Sequence, residues 1–145
     1  MQNTSPFFNW IVTTLKQSAW APLSVFGFHV FGLLIHLFDN FPYVDIPTHF
    51  LGGVTITYFY RVAIRNSQRL AGDIPNPIQV LLAFTCTGTT IILWEFYENI
   101  LDYFLRTHMV LGLFDTLKDM FVGLLGALVL TLFIERNNLH LFTFK

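Results

Sequence analysis

Apolar residues fall into four long blocks, at 22–38, 47–63, 78–105 and 114–134, separated by short polar breaks. Each block reads as a membrane-crossing α-helix, because about 20 residues rising 1.5 Å apiece traverse a hydrocarbon core about 30 Å thick. Pro22 opens the first block, where its missing N–H would be unpaired anyway, and Asp39-Asn40-Phe41-Pro42 closes it. Arg61 and Arg65 mark the end of the second; residues 66–77, with Arg69, Gly72, Asp73 and two prolines, read as a polar connecting loop. The third block is longer than a bilayer core requires, so its acidic far end must reach or pass the interface. Residues 106–113, with Gly112, form the next turn. Residues 7–20 mix apolar and polar positions around two tryptophans and Lys16, which suits either a short interfacial helix or a simple lead-in. The expected architecture is an all-α integral membrane bundle of four transmembrane helices, one domain over residues 1–145.

Composition supports that pattern. Of the 145 residues, 54% are hydrophobic and 12% charged, against about 25% charged in soluble domains, and the mean hydropathy is +0.57. The 17 phenylalanines suit a surface facing lipid. Cys86 is the single cysteine, which rules out an intrachain disulfide and a thiolate zinc cluster. Residues 1–15 carry no Lys or Arg, and the first apolar block lacks a small-x-small cleavage pattern, so it is kept as a spanning helix. There is no internal repeat, no phosphate-cradling glycine loop, no nucleophilic Gly-x-Ser-x-Gly and no nucleic-acid-binding pattern. Membrane lipid is the expected partner; nucleic acid is not.

Charge placement changes the picture. Lys16, Arg61, Arg65, Arg69, Arg136 and Lys145 fall on one side of a four-span topology, against Arg106 and Lys118 on the other. Basic residues accumulate in the cytoplasm, so both termini are expected there, in a bacterial inner membrane. Most acids lie on the opposite, outer side. Glu95, Glu98 and Asp102 follow an uncharged run and share one helical face. Asp115 and Asp119 form a second pair, spaced i, i+4, at the start of the last block.

Helical rise estimates depth. Measured from each cytoplasmic end, Glu95 lies about 26 Å up, Asp119 and His49 about 22 Å, and His36 about 20 Å. One residue from each helix therefore reaches a common level, with Glu98, Asp102 and Asp115 slightly higher. Gly52 and Gly53 share the side of His49, and Gly123 and Gly126 that of Asp115 and Asp119; small residues let membrane helices approach closely, which turns these faces inward. His29, Gly32 and His36 form a similar stripe, although a lone histidine such as His29 reads first as a packed side chain. Asp39 and Asp45 read equally as helix-end residues, and Arg106 and Lys118 as ion-pair partners that are too few for five carboxylates.

Carboxylates so crowded in a low dielectric need a cation, or must keep some of their protons. The first option predicts a divalent metal held by His49, Glu95, Asp119, Asp102 and Asp115, with His36 and Asp45 in support, and Glu95 or Glu98 acting as catalytic base. The second predicts proton or ion transport through the same groups.

The order Asp45-x-x-x-His49-Phe50-x-Gly52, then Glu95-x-x-Glu98 with Asp102, then Asp115-x-x-x-Asp119-Met120 and Gly126-Ala127 resembles the YjdF-like family of small, largely uncharacterised bacterial inner-membrane proteins. The resemblance covers residues 45–127. More distantly the chain is similar to VanZ-like proteins, with Ile46 standing where their pattern has lysine. Both resemblances imply a multi-span bacterial fold with these polar residues as its signature, and the closer family supplies no established reaction.

Three functions compete: a metal-dependent hydrolase or transferase acting on a lipid or lipid-linked envelope precursor, an ion- or proton-coupled transporter, and a binding or assembly module whose glycine faces join copies into a homo-oligomer. Inward of Glu95, the third helix offers only Thr85, Thr87, Thr89 and Thr90, a thin cation route, which favours the enzyme.

Overall fold

The structure, a computed structural model, describes residues 5–107 and 109–137. These residues form helices α1 (Pro6–Ser18), α2 (Trp20–Leu34), α3 (Leu37–Asn40), α4 (Asp45–Ala71), α5 (Asn76–Leu105) and α6 (Leu113–Asn137), with a 3-10 turn at Pro42–Val44. The last two expected spans are found within a few residues of their expected ends. Pro75 and Asn76 begin α5, and Gly112, at φ 121°, precedes α6.

α5 and α6 are long and apolar enough to cross a membrane. Only 17% and 28% of their most apolar stretches are buried inside the protein, so the remainder faces outward, as a lipid-bathed surface requires. Phe96, Phe104, Phe114 and Phe121 are among the exposed aromatics on these two helices. The protein is thus an all-α, membrane-associated bundle with at least two such helices.

The expected first block, 22–38, is divided differently. α2 ends at Leu34, and His36 adopts the left-handed conformation at φ 55°. No proline or glycine marks this break. What fixes it is packing: Phe38 folds back over Gly32, where a Cβ would lie 2.6 Å from a ring carbon. At its other end α2 runs on from α1 through Ala19, whose backbone is right-handed helical and whose N–H donates to the Leu15 carbonyl. Residues 7–20 are therefore more than a lead-in. They form α1, which docks on the second half of α4: the Trp10 indole donates to the Ala63 carbonyl at 2.9 Å, and Asn66 donates to Thr14 and Gln17.

α4 also exceeds its expected end, reaching Ala71 where a loop was expected from residue 66. Arg65, Asn66, Ser67 and Gln68 are polar without being helix breakers; the break comes at Gly72, whose φ of 84° suits glycine. Residues 138–145, with Lys145, lie outside the described residues.

α4 and α6 run parallel and meet most intimately. A Cβ on Gly53 would collide with the Gly123 carbonyl, and one on Gly126 with the Phe50 carbonyl. α5 runs antiparallel to both. Its Thr87 accepts a hydrogen bond from Thr57 at 3.1 Å, both residues being fully buried, and Thr90 pairs with Tyr60 at 2.9 Å. At the far end Arg61 donates to Asn76, which donates to Glu135. Gly53, Gly123 and Gly126 are thus consumed within the chain.

Gly53→Ala should lower thermal stability by the equivalent of about 1–3 kcal/mol, because the obstructing atoms are backbone and cannot swing away. Gly52→Ala is the control, since nothing lies within 4 Å of a Cβ there. Melting curves in detergent that move equally for both variants would contradict this account of the α4–α6 contact.

Candidate functional site

Three helix faces bring the site together. His49 stands one turn before Gly53 on α4, and Asp119 one turn before Gly123 on α6, so the glycine contact holds the two side chains close. Glu95 and Glu98 come from the inward face of α5. His49, Glu95, Glu98 and Asp119 are all buried.

The distances describe one cluster. His49 Nε2 lies 3.2 Å from Asp45 Oδ1 and 3.9 Å from Glu98 Oε1, while its Nδ1 lies 3.7 Å from Glu95 Oε1. Two overlapping groups, Asp45–His49–Asp119 and His49–Glu95–Glu98, each have ligand atoms within 4.8 Å of one another, a spacing from which a metal ion could be held. Lys118 reaches in from the rim, 3.3 Å from Asp119 Oδ1 and 4.0 Å from Asp45 Oδ2. Glu98 Oε1 accepts the Trp94 indole N–H at 2.8 Å. Among the described residues neither Glu95 Oε1 nor Asp119 Oδ1 takes a hydrogen bond; the Lys118 ammonium stands by the second, whereas Glu95 Oε1 is left uncompensated, which is rare in natural proteins.

A cleft of about 520 Å³ opens beside the cluster, lined among others by His29, Asp45, Glu98, Arg106, Asp115 and Lys118. That volume is in the range of small-molecule sites. Glu98 faces it, whereas Glu95 and Asp119 are not among the lining residues.

Not every expected ligand joins the cluster. His36 is exposed and bonds Asp39 at 2.9 Å, because its left-handed backbone ends the α2 stripe before it can turn inward. Asp102 binds the following loop instead, accepting from Thr107 Oγ1, Met109 N and Val110 N. Asp115 accepts from Lys118 at 2.6 Å and from the Leu111 N–H at 3.1 Å, so it sits on the cleft wall and outside both groups. Asp45, expected only in support, touches His49 directly.

Two contributors were passed over in the sequence. Trp94 is one turn before Glu98, a spacing that could have announced its bond. His29 is 2% exposed, and neither ring nitrogen has a hydrogen-bond partner. The signal for it was present, since a histidine inside an otherwise apolar block invites the argument used for His49.

These features define a helical membrane protein with buried carboxylate–histidine clusters. The family described as "Predicted membrane protein (DUF2238)" matches residues 8–138, and the chain belongs to it. This corrects the resemblance drawn from the motifs: the matching family is neither YjdF-like nor VanZ-like. Acids and histidines at one-turn spacing arise wherever helices build a polar site, so such signatures identify a family poorly. An uncharacterized protein of Thermotoga maritima is 30% identical over 115 residues, covering 79% of this chain and 59% of that protein. The chain therefore spans 59% of that relative's length. No solved structure matches.

Asp102→Ala should raise amide hydrogen exchange at Met109 and Val110 about tenfold or more, since charged hydrogen bonds contribute about 1.5–3 kcal/mol each. Unchanged protection at both amides would show that the carboxylate does not hold the loop.

Proposed function

We propose that this protein is a divalent-metal-dependent membrane enzyme, a hydrolase or transferase acting on a lipid or lipid-linked envelope substrate at the outer half of a bacterial inner membrane. The observation that carries this reading is the convergence of buried carboxylates on His49 beside an open cleft, with Glu95 Oε1 left without a hydrogen bond among the described residues. Lys118, already paired with Asp115 at 2.6 Å, supplies one positive charge against five neighbouring acids, Asp45, Glu95, Glu98, Asp115 and Asp119, and a cation of the class bound by oxygen and imidazole would balance the rest. Membrane lipid surrounds the bundle in this reading, and the described helices act as one domain.

In this reading His49 is the central ligand, joined by Asp119 and Asp45 on one side and by Glu95 on the other. When bound, the metal would polarise a phosphoryl or carbonyl oxygen of the substrate. Glu98 has one oxygen held by Trp94 and faces the cleft, which suits it to take a proton from water there. Glu95, away from the cleft wall, suits a ligand better than a base.

The transporter reading needs a polar route inward. Below His49 the hydroxyls of Thr57 and Thr87 are spent on the Gly53 and Ala83 carbonyls and on each other, in a fully buried seam. That supports a dead-ended site. The assembly reading loses most of its glycines, because Gly53, Gly123 and Gly126 pack within the chain, whereas Gly52 has open space.

Purified protein should contain stoichiometric divalent metal, and chelation should lower its melting temperature; a ligand at a hundred times its Kd stabilises by about 2.7 kcal/mol. Glu95→Gln and Asp119→Asn should remove that sensitivity. Absence of metal, indifference to chelator and stabilisation by Glu95→Gln would instead mark the carboxylates as titrating groups and hand the site to transport.

The same reading places four spans with both chain ends in the cytoplasm and the cleft outside. Single cysteines at positions 42 and 110, in a chain lacking Cys86, should react with an impermeant thiol reagent from the outer face. Labelling only from the cytoplasmic face would overturn the topology.

A further inference from the structure

Among the described residues only two that are not glycine take the left-handed backbone, His36 at φ 55° and Arg106 at φ 54°. Both are basic, and both line the cleft. A residue with a Cβ adopts that conformation at a cost, and such positions concentrate where a site needs a particular side chain. His36 gives its ring to Asp39. Arg106 follows the last turn of α5, where glycine would fit the backbone better, so its side chain calls for another reason.

The acids on the cleft wall already have partners. Asp39 is held by His36, Asp45 by His49, Asp115 by Lys118, and Glu98 by the Trp94 indole. Asp102, one turn before Arg106, gives its carboxylate to Thr107, Met109 and Val110. That contact folds the loop that follows Arg106. Among the described residues no hydrogen bond or ion pair engages the Arg106 guanidinium itself.

A second group on the same wall is equally open. His29 lines the cleft and is 2% exposed, and neither of its ring nitrogens has a hydrogen-bond partner. Packing explains such a ring poorly, because buried polar atoms are nearly always paired. Its orientation is fixed by Trp94, edge-on with centroids 4.8 Å apart, and by Phe38 at 5.4 Å. The cleft therefore presents one unpaired guanidinium at its exposed side and one unpaired imidazole at its buried side. Leu105 and Leu111, beside Arg106 on the wall, are 65% and 77% exposed, which suits a ligand that carries hydrocarbon.

We propose that the cleft receives the phosphate-bearing headgroup of a membrane lipid, with the Arg106 guanidinium pairing with the phosphate and the His29 imidazole donating an N–H to the inner end of the same headgroup. Arginine meets phosphate with two parallel hydrogen bonds, which a carboxylic ester or a sugar hydroxyl would not elicit. This rests on the metal-dependent reading above and deepens it, since the bound cation offsets the repulsion between Glu98 and an anionic ligand, and it names the substrate class as a phosphorylated lipid.

Native mass spectrometry of the full-length protein in dodecyl maltoside, loaded with MnCl2 and mixed with dioleoyl phosphatidate or dioleoylglycerol, tests this. One phosphatidate per chain should be retained in preference to dioleoylglycerol, and Arg106→Gln should weaken that retention by about tenfold or more. Arg106→Gly should lose it equally while melting no lower than the unaltered protein, because a φ of 54° suits glycine. Manganese bound, with phosphatidate held no better than dioleoylglycerol or held equally by Arg106→Gln, would overturn the headgroup site and leave the metal reading standing. Phosphatidate held through Arg106 in a protein that takes up no manganese would uphold the headgroup site and remove the metal reading. Inorganic phosphate that displaces phosphatidate at equal concentration would make the free anion the ligand and overturn the lipid. A fall in melting temperature for both variants would make Arg106 a structural cap and overturn its assignment to the phosphate.

Discussion

The backbone contact between α4 and α6 sets the geometry of everything polar above it. Because Gly53 lies on the Gly123 carbonyl and Gly126 on the Phe50 carbonyl, the two helices meet without intervening side chains. Side chains one turn outward on either helix are then forced together, and those are His49 and Asp119. α5 is indexed to the same frame by its threonines. Thr57 bonds Thr87 across an antiparallel pair, so moving about two turns along each helix from that bond brings His49 level with Glu95. Two small-residue contacts and one hydroxyl bond thus place three helices' worth of ionisable groups at one depth.

That placement carries an energetic penalty that packing alone does not offset. A buried carboxylate oxygen with no donor loses its hydration and receives nothing in return. Glu95 Oε1 is one among the described residues, while Asp119 Oδ1 has the Lys118 ammonium at 3.3 Å and no hydrogen bond. The contrast with the opposite end is informative. There Arg61, Asn76 and Glu135 form a connected set of donors and acceptors, and Trp10 and Asn66 tie α1 to α4. That end is tied together by these contacts, with Arg61 Nη1 left unbonded, whereas at the other end Glu95 Oε1 has no donor among the described residues beside an open cleft.

Much of this was legible in the sequence, for physical reasons that also mark where reading stopped. α5 and α6 were found nearly to the residue because hydropathy alone decides a lipid-facing helix. α4 was cut short because Asn66 and Ser67 look like loop residues, although Asn66 bonds Thr14 and Gln17 of the docked α1 and Ser67 bonds the Ile64 carbonyl of its own helix. The end of α2 was invisible: His36 turns left-handed with no glycine or proline to announce it, and Phe38 packing on Gly32 is a contact between residues whose nearness no period encodes. Estimating depth from helical rise succeeded for His49, Glu95 and Asp119, which lie on uninterrupted helices. His36, past the end of α2, lines the cleft but turns its ring to Asp39 instead of joining them. Asp102 and Asp115 illustrate a different limit, since nearby backbone N–H groups claim their oxygens.

Distance from the turn between α5 and α6 explains why the acids near the cleft differ so much in the donors they find. Asp102 and Asp115 sit where chain turns supply free N–H groups, so they act as structural acceptors that shape the loop between α5 and α6 and brace the rim. Glu98, one turn inward from Asp102 on the same helix face, is past the last such group and has only the Trp94 indole. Glu95, a further turn in, has one oxygen with no donor at all. Along one stripe of α5 the carboxylates therefore pass from fully served to underserved within about two turns. Any cation entering from the cleft meets acceptors whose need for charge rises with depth, and that gradient would draw it toward His49 and away from the rim.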